Sequence, residues 1–97
     1  MNVKVRFLER LAEITGIREE PIQSRDCVSP RHLKNSLKIL TKRHGRAFQD
    51  YVFEDNGDLT SHLQILIDGV SITNFQGLKT ELEENAVVFI IPMVGGG

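Results

Sequence analysis

Polar and apolar positions alternate strictly at the start of the chain. Val3, Val5 and Phe7 are separated by Lys4 and Arg6, so segment 2–8 is predicted to be a strand with one buried face. The period then changes. Leu8, Leu11 and Ala12 recur at helical spacing, which predicts a short helix from Glu9 to Thr15, and Gly16 stands where a C-cap would close it. Segment 18–23 is short and extended, placed to pair back on the first strand as a hairpin. Ser29-Pro30 reads as a helix start on two counts, an N-cap hydroxyl followed by proline at the first helical position. Leu33, Leu37 and Leu40 follow at helical spacing as far as Gly45, with Lys34, Lys38 and Lys42 on another face, which predicts an amphipathic helix of about four turns.

Beyond that helix, Ala47, Tyr51 and Val52 predict a short helical turn. Glu54-Asp55-Asn56-Gly57-Asp58 is an exposed turn that lacks the run of oxygen ligands and the closing glutamate of a calcium loop. Leu63-Gln64-Ile65-Leu66-Ile67 is a strand, and Asp68-Gly69 is the turn pair favoured in two-residue hairpins, leading into Val70-Ser71-Ile72. Gly77-Leu78 with Leu82 predicts a short helical connection. Ala86 to Val94 is apolar at nearly every position, the mark of a central strand covered on both faces. The chain shows no repeat, low-complexity segment or interdomain linker, so residues 1–97 are expected to form one domain with a flexible glycine tail over 95–97.

Composition sets the class. Forty per cent hydrophobic and 26% charged residues describe an ordinary globular domain. No apolar stretch approaches the roughly 20 residues that span a bilayer, and the start of the chain is not laid out as a signal peptide, so a soluble cytoplasmic protein without membrane association is expected. Cys27 is the single cysteine; it excludes an internal disulfide and reads as a small buried hydrophobe in preference to a catalytic thiol. Charge is lopsided: residues 1–46 hold 11 Lys/Arg against 5 Asp/Glu, whereas residues 47–97 hold Lys79 alone against 8 acids. The acid-free basic stretch from Arg31 to Arg46 lacks interleaved aromatics in a chain of pI near 6.3, so it reads as a solvated helix face and not as a nucleic-acid site. His32, His44 and His62 stand at no metal-ligand spacing with Cys27 or one another and are all expected at the surface, with no metal bound.

The chemistry points to the end of the chain. Met93-Val94-Gly95-Gly96-Gly97 places three side-chain-free residues and an α-carboxylate directly after the apolar run. Glycine passes through a slot too narrow for any other residue and follows whatever backbone path the slot imposes. A frayed terminus has the same composition. No Gly-rich phosphate loop, nucleophile elbow or triad is present to activate that carboxylate from within the chain.

The order of elements is that of the ubiquitin-like β-grasp, an α+β fold with a mixed sheet packed on one main helix. More narrowly the chain resembles the MoaD/ThiS family of sulfur carriers, and within it the small subunit of molybdopterin synthase. The residues that carry the resemblance are Val3-Lys4-Val5-Arg6-Phe7 with Leu11 to Gly16, then Leu66-Ile67-Asp68-Gly69-Val70, then Val87-Val88-Phe89-Ile90-Ile91-Pro92-Met93-Val94-Gly95-Gly96. Two departures stand out: Glu84-Asn85 replaces the usual glycine-aspartate before the last strand, and Gly97 follows the usual terminal diglycine. Asparagine supplies the positive φ such a turn calls for.

The resemblance implies a carrier and not an enzyme. The terminal carboxylate, on Gly97 or on Gly96 after trimming, would be adenylated by an activating adenylyltransferase (MoeB-like) that uses ATP, and converted to a thiocarboxylate. The sulfur would then pass to molybdopterin within a synthase formed with a larger subunit (MoaE-like), where the catalytic residues lie. The chain itself would bind no cofactor. The same activated tail equally serves a protein modifier, or a carrier for tRNA thiolation or thiamine synthesis; a non-covalent ubiquitin-like module would have no use for it.

Strand alternation predicts the docking face. With Val3, Val5 and Phe7 inward, Lys4 and Arg6 face out; with Leu63, Ile65 and Ile67 inward, Gln64 and Leu66 face out. In the last strand Val87, Phe89 and Ile91 are expected inward, which would leave Val88 and Ile90 on the open face beside Leu66, rimmed by Lys4 and Arg6. Pro92, Met93 and Val94 would continue this partner surface into the tail Gly95-Gly96-Gly97. Scattered surface hydrophobes are the alternative reading of the patch.

Overall fold

β1 (Asn2–Phe7) buries Val3, Val5 and Phe7 and exposes Lys4 and Arg6, the alternation its sequence predicts. The computed structural model describes residues 2–23, 25 and 31–92. Cys27, Ser29, Pro30, Met93, Val94, Gly95, Gly96 and Gly97 therefore lie outside the described residues. α1 (Arg10–Thr15) follows and is closed by Gly16, whose left-handed φ of 78° lets its N–H reach the Ala12 carbonyl. The chain returns as β2 (Glu19–Gln23), antiparallel to β1 with Arg6 opposite Glu19 and Asn2 opposite Gln23.

α2 (Leu33–His44) buries Leu33, Leu37 and Leu40, as its 3.6-residue period requires, and ends at Gly45 with φ of 79°. It starts later than Ser29-Pro30 predicts, with His32 as an extended N-cap that makes no side-chain capping bond. The reason is non-local. Leu33 N–H donates to the Thr80 carbonyl, Leu82 N–H donates to the Arg31 carbonyl, and His32 bridges Glu81, so residues 31–33 are tied to 80–82 with His32 extended. α3 (Arg46–Val52) is a fuller helix than the single turn expected, because Phe48 and Val52 both reach the core.

β3 (Leu63–Ile67) buries Leu63, Ile65 and Ile67. Asp68 and Gly69 take φ of 51° and 90°, the paired positive values a type I′ hairpin turn needs, and lead to β4 (Val70–Ser71). β4 is one residue shorter than expected, since Ile72 already opens a 3₁₀ turn and drops into the core. A second 3₁₀ turn at Gly77–Lys79 supplies the expected connection, and Asn85 adopts φ of 63° ahead of β5 (Val87–Pro92).

The five strands form one mixed sheet in the order β2-β1-β5-β3-β4, antiparallel throughout except for the parallel β1–β5 pair. One side of the sheet and the inner faces of α1, α2 and α3 share a single apolar cluster. The fold is the ubiquitin-like β-grasp. β5 is central, as its apolar run predicts, but its phase is the reverse of the one expected. Val88 and Ile90 are 0% exposed, while Val87, Phe89 and Ile91 are half-buried on the outer side. Register imposes this: Val5 and Ile67 flank Val88, and Phe7 and Ile65 flank Ile90, and all four neighbours face the core.

Candidate functional site

Cross-strand neighbours project to the same side of a sheet, so the three central ladders build the outer face row by row. Arg6 stands beside Phe89 and Phe89 beside Leu66; Lys4 stands beside Val87, and Ile91 beside Gln64. The product is a half-buried apolar strip of Val87, Phe89 and Ile91, widened by Leu66, with Lys4 and Arg6 exposed along one margin. Leu66, Lys4 and Arg6 thus occupy the face assigned to them from the sequence. Val88 and Ile90 do not; they are core residues and offer nothing to a partner.

Charge on this face is shared locally. Glu19 lies 3.6 Å from Lys4 Nζ and 3.7 Å from Arg6 Nε, and each side chain is about half exposed. Pairs of that kind contribute about 0–1 kcal/mol to stability. Their effect is on position: the Arg6 guanidinium sits 5.7 Å from the centroid of the Phe89 ring, so cation and aromatic form one composite surface.

β5 runs two residues past the end of β1. Phe7 pairs with Ile90, and beyond that level Ile91 and Pro92 pair only with Gln64 and Leu63 of β3. A cleft of about 540 Å³ opens at this end of β1, lined by Arg6, Phe7, Leu8, Glu9, Arg18 and Phe89, among others. Glu9 holds φ 54° and ψ −129°, a conformation suited to glycine, at the tight change of direction from β1 into α1. Leu8 and Ile17 are both exposed near this change of direction. Pro92, the last described residue, stands at this edge, and the sequence Met93-Val94-Gly95-Gly96-Gly97 continues from it.

On the inner side, β2 and α2 are joined by a half-hidden ionic cluster that the sequence reading misses. Glu20 is buried and accepts from Arg43 at 2.6 Å, while its second oxygen lies 2.5 Å from His44 Nε2. His44 packs edge-on against Phe7 and beside Phe48, so it is not the surface residue expected, whereas His62 is exposed and meets Tyr51 edge to face. Among the described residues no group of three or more His, Cys, Asp or Glu is placed to hold a metal ion. No helix of the described residues is long and apolar enough to cross a membrane.

Comparison with protein-family profiles matches residues 5–97 to the ThiS family. The chain belongs to the ThiS family. This is a family of small ubiquitin-like sulfur carriers and modifiers whose members are not themselves catalysts. Among solved structures, this ThiS-family chain is similar to small archaeal modifier protein 1 from Methanosarcina acetivorans, with 28% identity over 99% of this chain and 96% of that one, at a TM-score of 0.77. It is also similar to Urm1 from Sulfolobus solfataricus, with 26% identity over 92% and 97% of the two chains and a TM-score of 0.64. A putative molybdopterin converting factor subunit 1 from Pyrococcus furiosus has 23% identity over 97% and 99%, with a TM-score of 0.72, a likeness of fold. Curated protein sequences give no significant match.

Proposed function

We propose that the chain is a sulfur carrier whose C-terminal glycine is adenylated and converted to a thiocarboxylate, for delivery to the molybdopterin precursor inside a synthase with a larger subunit. The observation that carries this reading is the position of β5. A central strand, tied on both edges, ends at Pro92 beside a cationic and apolar face, and the five residues that follow finish in three glycines. Five extended residues span about 17 Å, enough to carry a carboxylate into a partner's active site while the sheet face docks outside it. The family match running to residue 97 supports the same assignment.

The chemistry needs the partner at each step. A carboxylate oxygen attacks the α-phosphorus of ATP and expels pyrophosphate. Hydrosulfide, or a carrier at the same oxidation level, then attacks the acyl carbon; the carbon–oxygen bond to AMP breaks and a thiocarboxylate remains. ATP and the groups that orient it belong to the activating adenylyltransferase. The proposed role of the chain is to present the acyl carbon on a tail with no side chains, held to the domain by β5. Phe89, Val87, Ile91, Leu66, Lys4 and Arg6 form the proposed contact with that enzyme and with the larger synthase subunit. Pro92, Met93 and Val94 lead into the slot, and no cofactor is bound by the chain.

A second reading has a specific observation in its favour. Two solved structures above 25% identity are a named modifier and Urm1. In that reading a lysine amine attacks the same acyl adenylate, AMP leaves and an isopeptide bond forms. One experiment separates the two. The thiocarboxylated chain is mixed with the larger synthase subunit and pterin precursor, and separately the unmodified chain is mixed with activating enzyme, ATP and a cell extract. Dithiolene formation in the first supports molybdopterin synthesis; glycine-linked lysine adducts in the second, without dithiolene in the first, support modification.

A further inference from the structure

Three lysines on α2 have no acidic partner among the described residues. Lys34, Lys38 and Lys42 lie at four-residue intervals on one exposed stripe of the helix, and among the described residues none of them enters an ion pair. Several other cations are paired. Lys4 and Arg6 share Glu19, Arg10 pairs with Glu13, Arg43 with Glu20 and Arg46 with Asp50. From Lys34 to Lys42 the stripe runs about 12 Å along the helix.

The stripe borders a groove. A cavity of about 340 Å³ runs between α2, α3 and the turn after α3, with Lys34, Lys38 and Lys42 on one wall and Gln49 and Phe53 on the other. Phe53 is half-buried, so its ring supplies an apolar floor, and lysine stems extend such a floor while their ammonium groups stay in water. Glu54 and Asp55 also line the groove. A uniform line of phosphates would be repelled there, whereas a short peptide can set its charges against the lysines and keep them away from the acids.

We infer that this groove docks an acidic peptide segment of a partner protein, with carboxylates over Lys34, Lys38 and Lys42 and one apolar side chain on Phe53. Charge complementarity selects the occupant. The groove lies on the solvent side of α2, and α2 packs on the side of the sheet opposite Phe89 and Leu66. A segment held here leaves the sheet face and the tail free, so one molecule can engage two proteins at once: a scaffold or acceptor through α2, and an activating partner through the sheet.

The test uses the full chain, labelled with nitrogen-15, and the peptide acetyl-EELEEFEE as probe at physiological salt. The expected result is saturable shift changes at Lys34, Lys38, Lys42, Gln49 and Phe53, with the outer sheet face unmoved. Lys38→Glu combined with Lys42→Glu should weaken binding at least tenfold, and both positions are exposed helix sites at which folding is retained and checked by the same spectrum. A peptide with Leu and Phe replaced by Gln should bind at least tenfold more weakly. The inference is overturned by any of three results: no saturable binding at millimolar peptide, equal affinity for the all-polar peptide or for an oligouridine of similar charge, or shifts that grow with protein concentration alone, which would assign the groove to a second copy of the chain.

Discussion

The Arg6 guanidinium lies over the ring of Phe89, 5.7 Å from its centroid, on the outer face of a parallel strand pair. The contact lies on the open side of β5. Phe89→Glu is therefore expected to leave the circular dichroism spectrum and the melting transition nearly unchanged, and to weaken binding to the activating partner roughly tenfold to a hundredfold. Binding measured by calorimetry checks it; wild-type affinity would remove the sheet face from the interface.

Val88→Glu and Ile90→Glu should behave in the opposite way. Each places a carboxylate in a fully buried apolar site, at a cost of several kcal/mol against a total stability of about 5–15 kcal/mol. Loss of the cooperative denaturant transition is the expected outcome. A folded Val88→Glu protein would contradict the strand phase described above.

The same strand shows how far a sequence can be read. β1 alternates, so its buried face is written in the order Val3, Lys4, Val5, Arg6, Phe7. Val87 to Ile91 does not alternate, and the strand carries no local record of its phase; that comes from the Val5–Val88 and Ile65–Ile90 registers, which are tertiary facts. α2 was legible in its body from the Leu33-Leu37-Leu40 period but not in its start, because pairing of 31–33 with 80–82 overrides the local signal of Ser29-Pro30. Lys4, Arg6 and Leu66 could be placed on the open face for the same reason that β1 and β3 could be phased. His44 could not be placed, since Glu20 and Phe7, which take it out of solvent, are distant in sequence.

Glu20 ties β2 to α2 through Arg43 and His44. Glu20→Ala removes the acceptor from both and leaves two donors in a partly buried site, although Arg43 keeps a bond to the Pro21 carbonyl. A loss of about 1–3 kcal/mol is expected, read as a lowered urea midpoint with unchanged slope. Glu20→Gln, which retains an acceptor, should recover part of it.

Glu9 sits at φ 54° and ψ −129° beside the cleft at the end of β1. A non-glycine residue there stores about 1–3 kcal/mol of backbone strain, of which the greater freedom of glycine in the unfolded chain offsets about half. Glu9→Gly is expected to raise stability by about 1 kcal/mol. If stability falls instead, the Glu9 side chain contributes more than its backbone costs.

The central claim is that the acyl carbon at the end of the glycine tail is the reacting group. The most direct measurement incubates the full chain with its activating adenylyltransferase, ATP and sulfide, then fragments the C-terminal peptide by mass spectrometry. The account predicts one oxygen replaced by sulfur on Gly97, and equal or lower conversion in a chain shortened to end at Gly96. No exchange, with an adenylyltransferase shown to be active on this chain by pyrophosphate release, would contradict it.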